Sequence, residues 1–76
     1  MEGHANALQQ LLLPHRYQMS RETVFPSPTS LSWFMRQNRE RLTKAGALLQ
    51  VGGRNLIDEA RFDEVVVEVG RERAAA

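Results

Sequence analysis

Three glycines and one aspartate constrain the middle of this chain more than any other feature. Gly46, Gly52, Gly53 and Asp58 all fall within residues 46–58. Gly46 follows a run with helical spacing, where a left-handed residue ends a helix. Gly52-Gly53 separates two short apolar runs, and two-residue hairpin turns often take positive φ at both positions. Residues 47–51 therefore predict one strand and residues 55–57 its return. Asp58 is a side-chain cap for a following helix, with Glu59 in the first turn, favourable against the helix dipole. The order enforced is helix, hairpin, helix.

The helix before Gly46 carries Leu31, Phe34, Met35, Leu42 and Ala45 on one face. Asn38 interrupts that face, so a bend or break is expected there. Thr29 or Ser30 is the expected cap. It follows a turn over residues 26–29 in which two alternate prolines forbid helix. Upstream, residues 14–25 predict the first helix. Pro14 suits the first helical position, and Ser20 with Glu22 and Thr23 offers a second start; the residues leave both open. Tyr17, Val24 and Phe25 are the expected core contacts there, ahead of Met19.

Residues 1–13 read as an arm. Leu8, Leu11 and Leu12 share helical spacing, but Pro14 limits any helix, and a frayed terminus is favoured. Beyond Asp58, Phe62, Val65, Val66 and Val69 lie on one helical face. The run Val-Val-Val-Glu-Val has high β propensity, yet the cap and the spacing favour helix. Gly70 is expected to end it, leaving residues 71–76 as a polar tail. The predicted class is mainly α with a small β-hairpin, one domain over residues 14–70.

Size and composition exclude much. Seventy-six residues make one domain at most, burying only about 60% of the unfolded surface, with little room for a deep pocket. With no cysteine, neither a disulfide framework nor a thiolate metal site is available, and a reducing cytoplasm fits best. No apolar run approaches the roughly 20 residues that span a bilayer, and the start lacks the basic region of a signal peptide. His4 and His15 have no second ligand at metal spacing. No Gly-x-Ser-x-Gly motif occurs, and Gly52-Gly53-Arg54 lacks the Walker pattern. The acids Asp58, Glu59, Asp63, Glu64 and Glu68 read as a solvated face. No catalysis, metal or cofactor is expected.

Net charge is only +1, but its distribution is uneven. Residues 33–54 hold Arg36, Arg39, Arg41, Lys44 and Arg54 against Glu40 alone, a net +4. Residues 55–76 hold three arginines against six acids, a net −3. A local basic patch is what a polyanion reader needs, although a solvated helix face has the same composition. Ser32, Trp33, Arg36, Gln37, Glu40 and Lys44 fall on the outward side of the helical pattern. Arginine can bridge the two acceptors of guanine and glutamine can read adenine. Ser30 and Ser32 at a helix start can bond phosphate. Arg54 at the hairpin tip can reach an adjacent groove, and Arg39, Arg41 and Lys44 can add backbone contacts. Arg36 can equally pair with Glu40 four residues on, and core or wing packing is the favoured role of Trp33.

Two stretches together resemble a known group: Ser30-Leu31-Ser32-Trp33-Phe34-Met35, and Ala45-Gly46-Ala47 through Val51-Gly52-Gly53-Arg54 to Ile57-Asp58. They are similar to the small excisionase-like, MerR-type winged-helix proteins of phages and integrative elements, over roughly residues 15–69. Gly53 and the polar Asn55 depart from the usual wing, and Asn55 removes a cation from it. The resemblance implies a winged helix-turn-helix fold and a recombination directionality factor of the bacterial cytoplasm. Such a factor binds repeated sites on double-stranded attachment DNA, often cooperatively with further copies of itself. It bends that DNA so that a separate integrase can excise it, and has no catalytic centre of its own. Related members regulate transcription of the same elements. By position, the DNA-binding residues implied are Ser30, Ser32, Trp33, Arg36 and Gln37, with Arg54 on the wing. A protein-interaction module, acting through the last helix and the leucine arm, is the rival reading. The outer side of the cationic helix and the hairpin tip are expected to face the same way.

Overall fold

The computed structural model describes residues 11–76. It is mainly helical with one small antiparallel sheet. In chain order the elements are β1 (Leu11–Leu12), α1 (Pro14–Ser20), α2 (Pro28–Gln37), α3 (Arg39–Lys44), β2 (Leu48–Val51), β3 (Arg54–Asp58) and α4 (Glu59–Ala75).

The hairpin forms where the glycines demand it. Gly52 and Gly53 take φ of 59° and 77°, both left-handed, so β2 and β3 pair with Val51 opposite Arg54 and Leu48 opposite Ile57. Gly46, at φ 74°, ends the preceding helix. The expected break at Asn38 is present. Asn38 leaves helical geometry at φ −120°, and its side-chain amide donates to Phe34 O at 2.9 Å. Asp58 accepts from the Arg61 N–H at 3.2 Å, the expected cap.

Four expectations are corrected. Residues 11 and 12 are not helical: β1 pairs with β3, Leu11 opposite Asp58 and Leu12 opposite Ile57, making the sheet three-stranded in the order β1-β3-β2. Leu8 lies outside the described residues. The first helix stops at Ser20 rather than near residue 25. The Ser20 hydroxyl donates back to Tyr17 O at 2.8 Å, so Ser20 closes the helix and does not start one. Buried Gln18 donates to Phe25 O at 2.8 Å and holds the turn that follows. That turn leaves Met19 and Val24 exposed while Phe25 enters the core. The cap of α2 is Ser27, with Pro28 at the first helical position, where its missing N–H costs nothing. Ser27 and Ser30 satisfy each other's backbone N–H groups at 3.2 Å, a capping box in which Ser30 takes the place of glutamate. Finally, Gly70 does not end the last helix, and residues 71–75 continue it. Gly70 has no positive φ, and the Arg41 guanidinium reaches Glu72 beyond it at 2.6 Å, tying that turn to α3.

The core lies between α4, the sheet and the bent α2–α3 pair. Tyr17, Phe25, Leu31, Leu42, Ile57, Phe62 and Val65 are its most buried apolar side chains, with Ala47 and Leu48 closing the sheet side. Phe62 is at its centre, 4.6 Å from the Tyr17 ring and 5.8 Å from Phe34 between ring centroids. Each aromatic pair adds about 0.5–1.5 kcal/mol beyond the area buried. A second joint clamps α1 to α4. Arg21 holds Asp63 through two bonds of 2.9 and 2.6 Å, bonds Glu59 at 2.9 Å and lies 4.4 Å above the Tyr17 ring.

Candidate nucleic-acid interface

The capping box fixes the start of α2, and its buried stripe of Leu31 and Met35 fixes which side faces out. Thr29, Trp33 and Arg36 follow i, i+4, i+7 spacing on the side away from that stripe, and all are exposed. Arg39 is exposed on α3 and Arg54 at the hairpin tip.

The seven residues expected at the interface do not all border one hollow: Ser30, Trp33 and Gln37 share one, and Ser32 and Arg39 each border another. Ser30 is half-buried, and its hydroxyl is occupied: it donates to Ser27 O at 2.6 Å and accepts from the Ser27 N–H. It stabilises the helix start instead of waiting for phosphate. Ser32 lies in the seam between α1 and α2, beside Pro14, His15 and Gln18. Trp33 and Gln37 border a largely apolar groove of about 350 Å³ between α2 and α4, with Val66, Val69, Gly70 and Arg73 on its far side. Trp33 is 57% exposed. It packs neither in the core nor on the hairpin, which corrects the favoured expectation. Arg39 borders a hollow of about 110 Å³ against the hairpin, with Thr43, Gln50 and Asn55. Asn55 Oδ1 is buried there without a hydrogen-bond partner among the described residues. Arg36 and Arg54 border none of these hollows.

Electrostatics sorts the cations more sharply than position does. Arg41, expected to touch a DNA backbone, is bonded to Glu72 at 2.8 and 2.6 Å and to Glu68 at 3.3 Å. Those bonds, from Glu72 above all, hold its guanidinium even more firmly protonated and keep the Glu72 carboxyl below its ordinary range. Glu40 faces Lys44 at 3.7 Å, not Arg36. Arg61 sits 3.8 Å from Asp58 and donates to Ala45 O. Among the described residues, Arg16, Arg36, Arg39 and Arg54 make no ion pair. Their charge is therefore available to a polyanion without breaking a contact of the fold.

Sequence reasoning missed three residues here. Arg16 is exposed on α1, and its isolation could not be read without knowing the turn that removes residues 21–24 from the helix. Thr29 reads in the sequence as a cap candidate beside Ser30. Arg73 falls in the expected polar tail, yet its Nη2 donates to Gln37 Oε1 at 3.4 Å. Among the described residues, no group of three or more His, Cys, Asp or Glu side chains is placed to hold a metal ion, and no helix is long and apolar enough to cross a membrane. No family model, no curated protein and no solved structure matches this chain.

Proposed function

We propose that this chain is a sequence-specific DNA-binding module of the winged helix-turn-helix kind. In this reading α1 and α2 form the helix-turn-helix and α2 enters a major groove. The β2–β3 hairpin is the wing. The observation that carries the reading is the sorting of charge. Among the described residues, Arg16, Arg36, Arg39 and Arg54 on α1, α2, α3 and the hairpin make no ion pair, as do Arg71 and Arg73 near the end of α4, whereas Arg21 and Arg41 are neutralised against the acids of α4. The four of these outside α4 match a slope of about −3 to −4 in log affinity against log salt. Anisotropy titration of a labelled duplex between roughly 50 and 200 mM salt tests this; affinity that does not move with salt refutes it.

The biological role follows the motif resemblance: an excisionase-like accessory factor that bends attachment-site DNA for an integrase. A transcriptional regulator of the same mobile element is the alternative. A module this small buries little surface on DNA, and specific affinity normally needs more, so several copies bind adjacent sites cooperatively. An excision assay with and without the cognate integrase, beside a reporter for the nearest promoter, separates the two roles. One observation favours a protein-docking role instead: Trp33 and Val24 are exposed along an apolar groove. Binding carried by that groove would be insensitive to salt.

A further inference from the structure

Of the five large apolar side chains exposed among the described residues, three line one groove. Val24 and Trp33 border the hollow of about 350 Å³ between α2 and α4, and Val24 and Val67 border another of about 310 Å³. The two hollows share Val24, Phe25 and Val66, so they run into each other. Along α4 the joint groove extends from Asp63 to Arg73, about 15 Å at the rise of a helix. Exposed apolar surface gathered in this way and rimmed by polar groups marks a site of association.

The walls decide what can lie there. They are α2, α4 and the turn after α1. None of them offers a strand edge, so an extended segment would find no ladder for its own N–H and C=O groups. A helix brings its backbone bonds with it and needs only a row of side chains at i, i+3 or i+4, and i+7. A length of about 15 Å takes roughly three turns of such a row. Val24 and Trp33 are more than half exposed, so the groove does not enclose a small molecule, which ordinarily buries most of its surface. Charge then sets the direction. At one end Asp63 is already held by Arg21. At the other, Arg73 makes no ion pair among the described residues and donates only to Gln37, at 3.4 Å. Glu68 and Glu72 of the same helix are held by Arg41. A carboxylate brought by the occupant meets an unspent cation only at the Arg73 end.

We propose that the groove between α2, α4 and the turn after α1 docks an amphipathic helix of a partner protein, apolar along one face and acidic at the end that lies over Arg73. The inference does not rest on DNA binding, because Arg16, Arg36, Arg39 and Arg54 all lie outside the groove. Apolar burial supplies the affinity, and the exposed pair at Arg73 selects the orientation.

Selection from a displayed library of helical peptides, with the full chain as bait, tests the proposal. The enriched peptides carry apolar residues at i, i+3 or i+4, and i+7, with Asp or Glu at one end. Trp33 is the only tryptophan of the chain, so its emission shifts to the blue when an enriched, tryptophan-free peptide covers it. Val24→Asp weakens that peptide by more than about tenfold, the worth of one apolar side chain withdrawn from burial. Val51→Asp, at an exposed valine outside the groove, leaves it unchanged. Arg73→Glu weakens it by about fivefold, and exchanging the acid of the peptide for lysine restores binding to Arg73→Glu. A thermal melt of each variant confirms that the fold is retained. No enriched peptide, an enriched set without the apolar row, or an affinity that ignores Val24→Asp overturns the inference. So does equal binding of the acidic and lysine peptides to the wild type. Trp33 emission that moves with protein concentration in the absence of peptide means that a second copy fills the groove, and overturns it as well. None of these outcomes alters the salt titration on DNA, which stands or falls separately.

Discussion

The α1–α4 joint and the exposed sides of α2, α3 and the hairpin both carry arginine, and they use it in opposite ways. At the joint, Arg21 is saturated: Asp63, Glu59 and Ser20 accept its bonds, and the Tyr17 ring lies beneath it. On α2, α3 and the hairpin, Arg36, Arg39 and Arg54 meet no carboxylate among the described residues. The net +4 of residues 33–54 therefore overstates the field available outside. Arg41 is already paired across to α4, and a phosphate would have to displace a carboxylate to reach it; Lys44 pairs only loosely, at 3.7 Å, with Glu40 of its own helix. A basic segment leaves its charge open to solvent only where the acids of the other segment do not fold onto it.

Substitutions on the two sides should separate stability from binding. The largest effect is expected at Phe62, fully buried between Tyr17, Phe25 and Phe34. Phe62→Ala should cost about 3–5 kcal/mol of stability, a large share of the roughly 5–15 kcal/mol of an ordinary domain. Urea unfolding measures it, and a loss under about 1 kcal/mol would mean that Phe62 does not anchor the core. Arg36→Ala should do the reverse. It should lose about 1–3 kcal/mol of DNA affinity while stability stays within about 0.5 kcal/mol. Arg41→Ala sharpens the contrast by melting slightly earlier with affinity unchanged. Equal losses of affinity for Arg36→Ala and Arg41→Ala would erase the distinction between the two regions.

What could be read from residues alone divides along the same line. The hairpin, the break at Asn38 and the cap at Asp58 were legible because each rests on a local rule: paired glycines, a polar residue on an apolar face, an oxygen beside free N–H groups. The strand at Leu11–Leu12 was not, because its pairing partner, β3, is distant in the chain and two residues carry no period. The α2 cap was misplaced by two or three residues because Ser30 plays the part usually taken by glutamate. Gly70 was misread as a stop because the bond from Arg41 to Glu72 is a tertiary contact. For the candidate site, the residue types were legible but their availability was not. Nothing in the chain's order shows that the Ser30 hydroxyl is occupied or that Arg73 sits on Gln37, whereas the helical spacing does put Trp33 on the outer side, where it is exposed.

Acid and alkali should act on the joint and leave the outer face unaffected. The bonds from Arg21, with the Tyr17 hydroxyl adding to them, hold the Asp63 carboxyl below its ordinary range. Its contribution is present above the unfolded value of about 3.9 and is lost as pH falls from there towards the folded value. The Tyr17 hydroxyl is raised above its ordinary range, first by burial and then by its 2.5 Å bond to Asp63. That contribution is full below about pH 10 and fades as pH rises beyond it. Asp63→Asn should cost about 0.5–1 kcal/mol at neutral pH, since the pair is partly exposed and screened, and should flatten the acid limb of the stability curve. Tyr17→Phe should flatten the alkaline limb. An acid limb unchanged in Asp63→Asn would assign acid sensitivity to another carboxylate.

The smallest expected effect is a gain. Gly46 and Gly70 are both helix glycines by sequence, but only Gly46 needs to be one. A Cβ on Gly46 would lie 2.8 Å from Arg61 Nη1 at a φ of 74°, so Gly46→Ala is strained. A Cβ on Gly70 would meet nothing within 4 Å, in a helix interior where glycine costs about 0.5–1 kcal/mol relative to alanine. Gly70→Ala should therefore raise stability by about 0.5 kcal/mol, with DNA affinity unchanged, because the added methyl sits on α4 and touches no other side chain. If Gly70→Ala lowers stability instead, α4 is interrupted at residue 70. Arg73 would then not be held beside Gln37, and the last turn of α4 would belong to neither region.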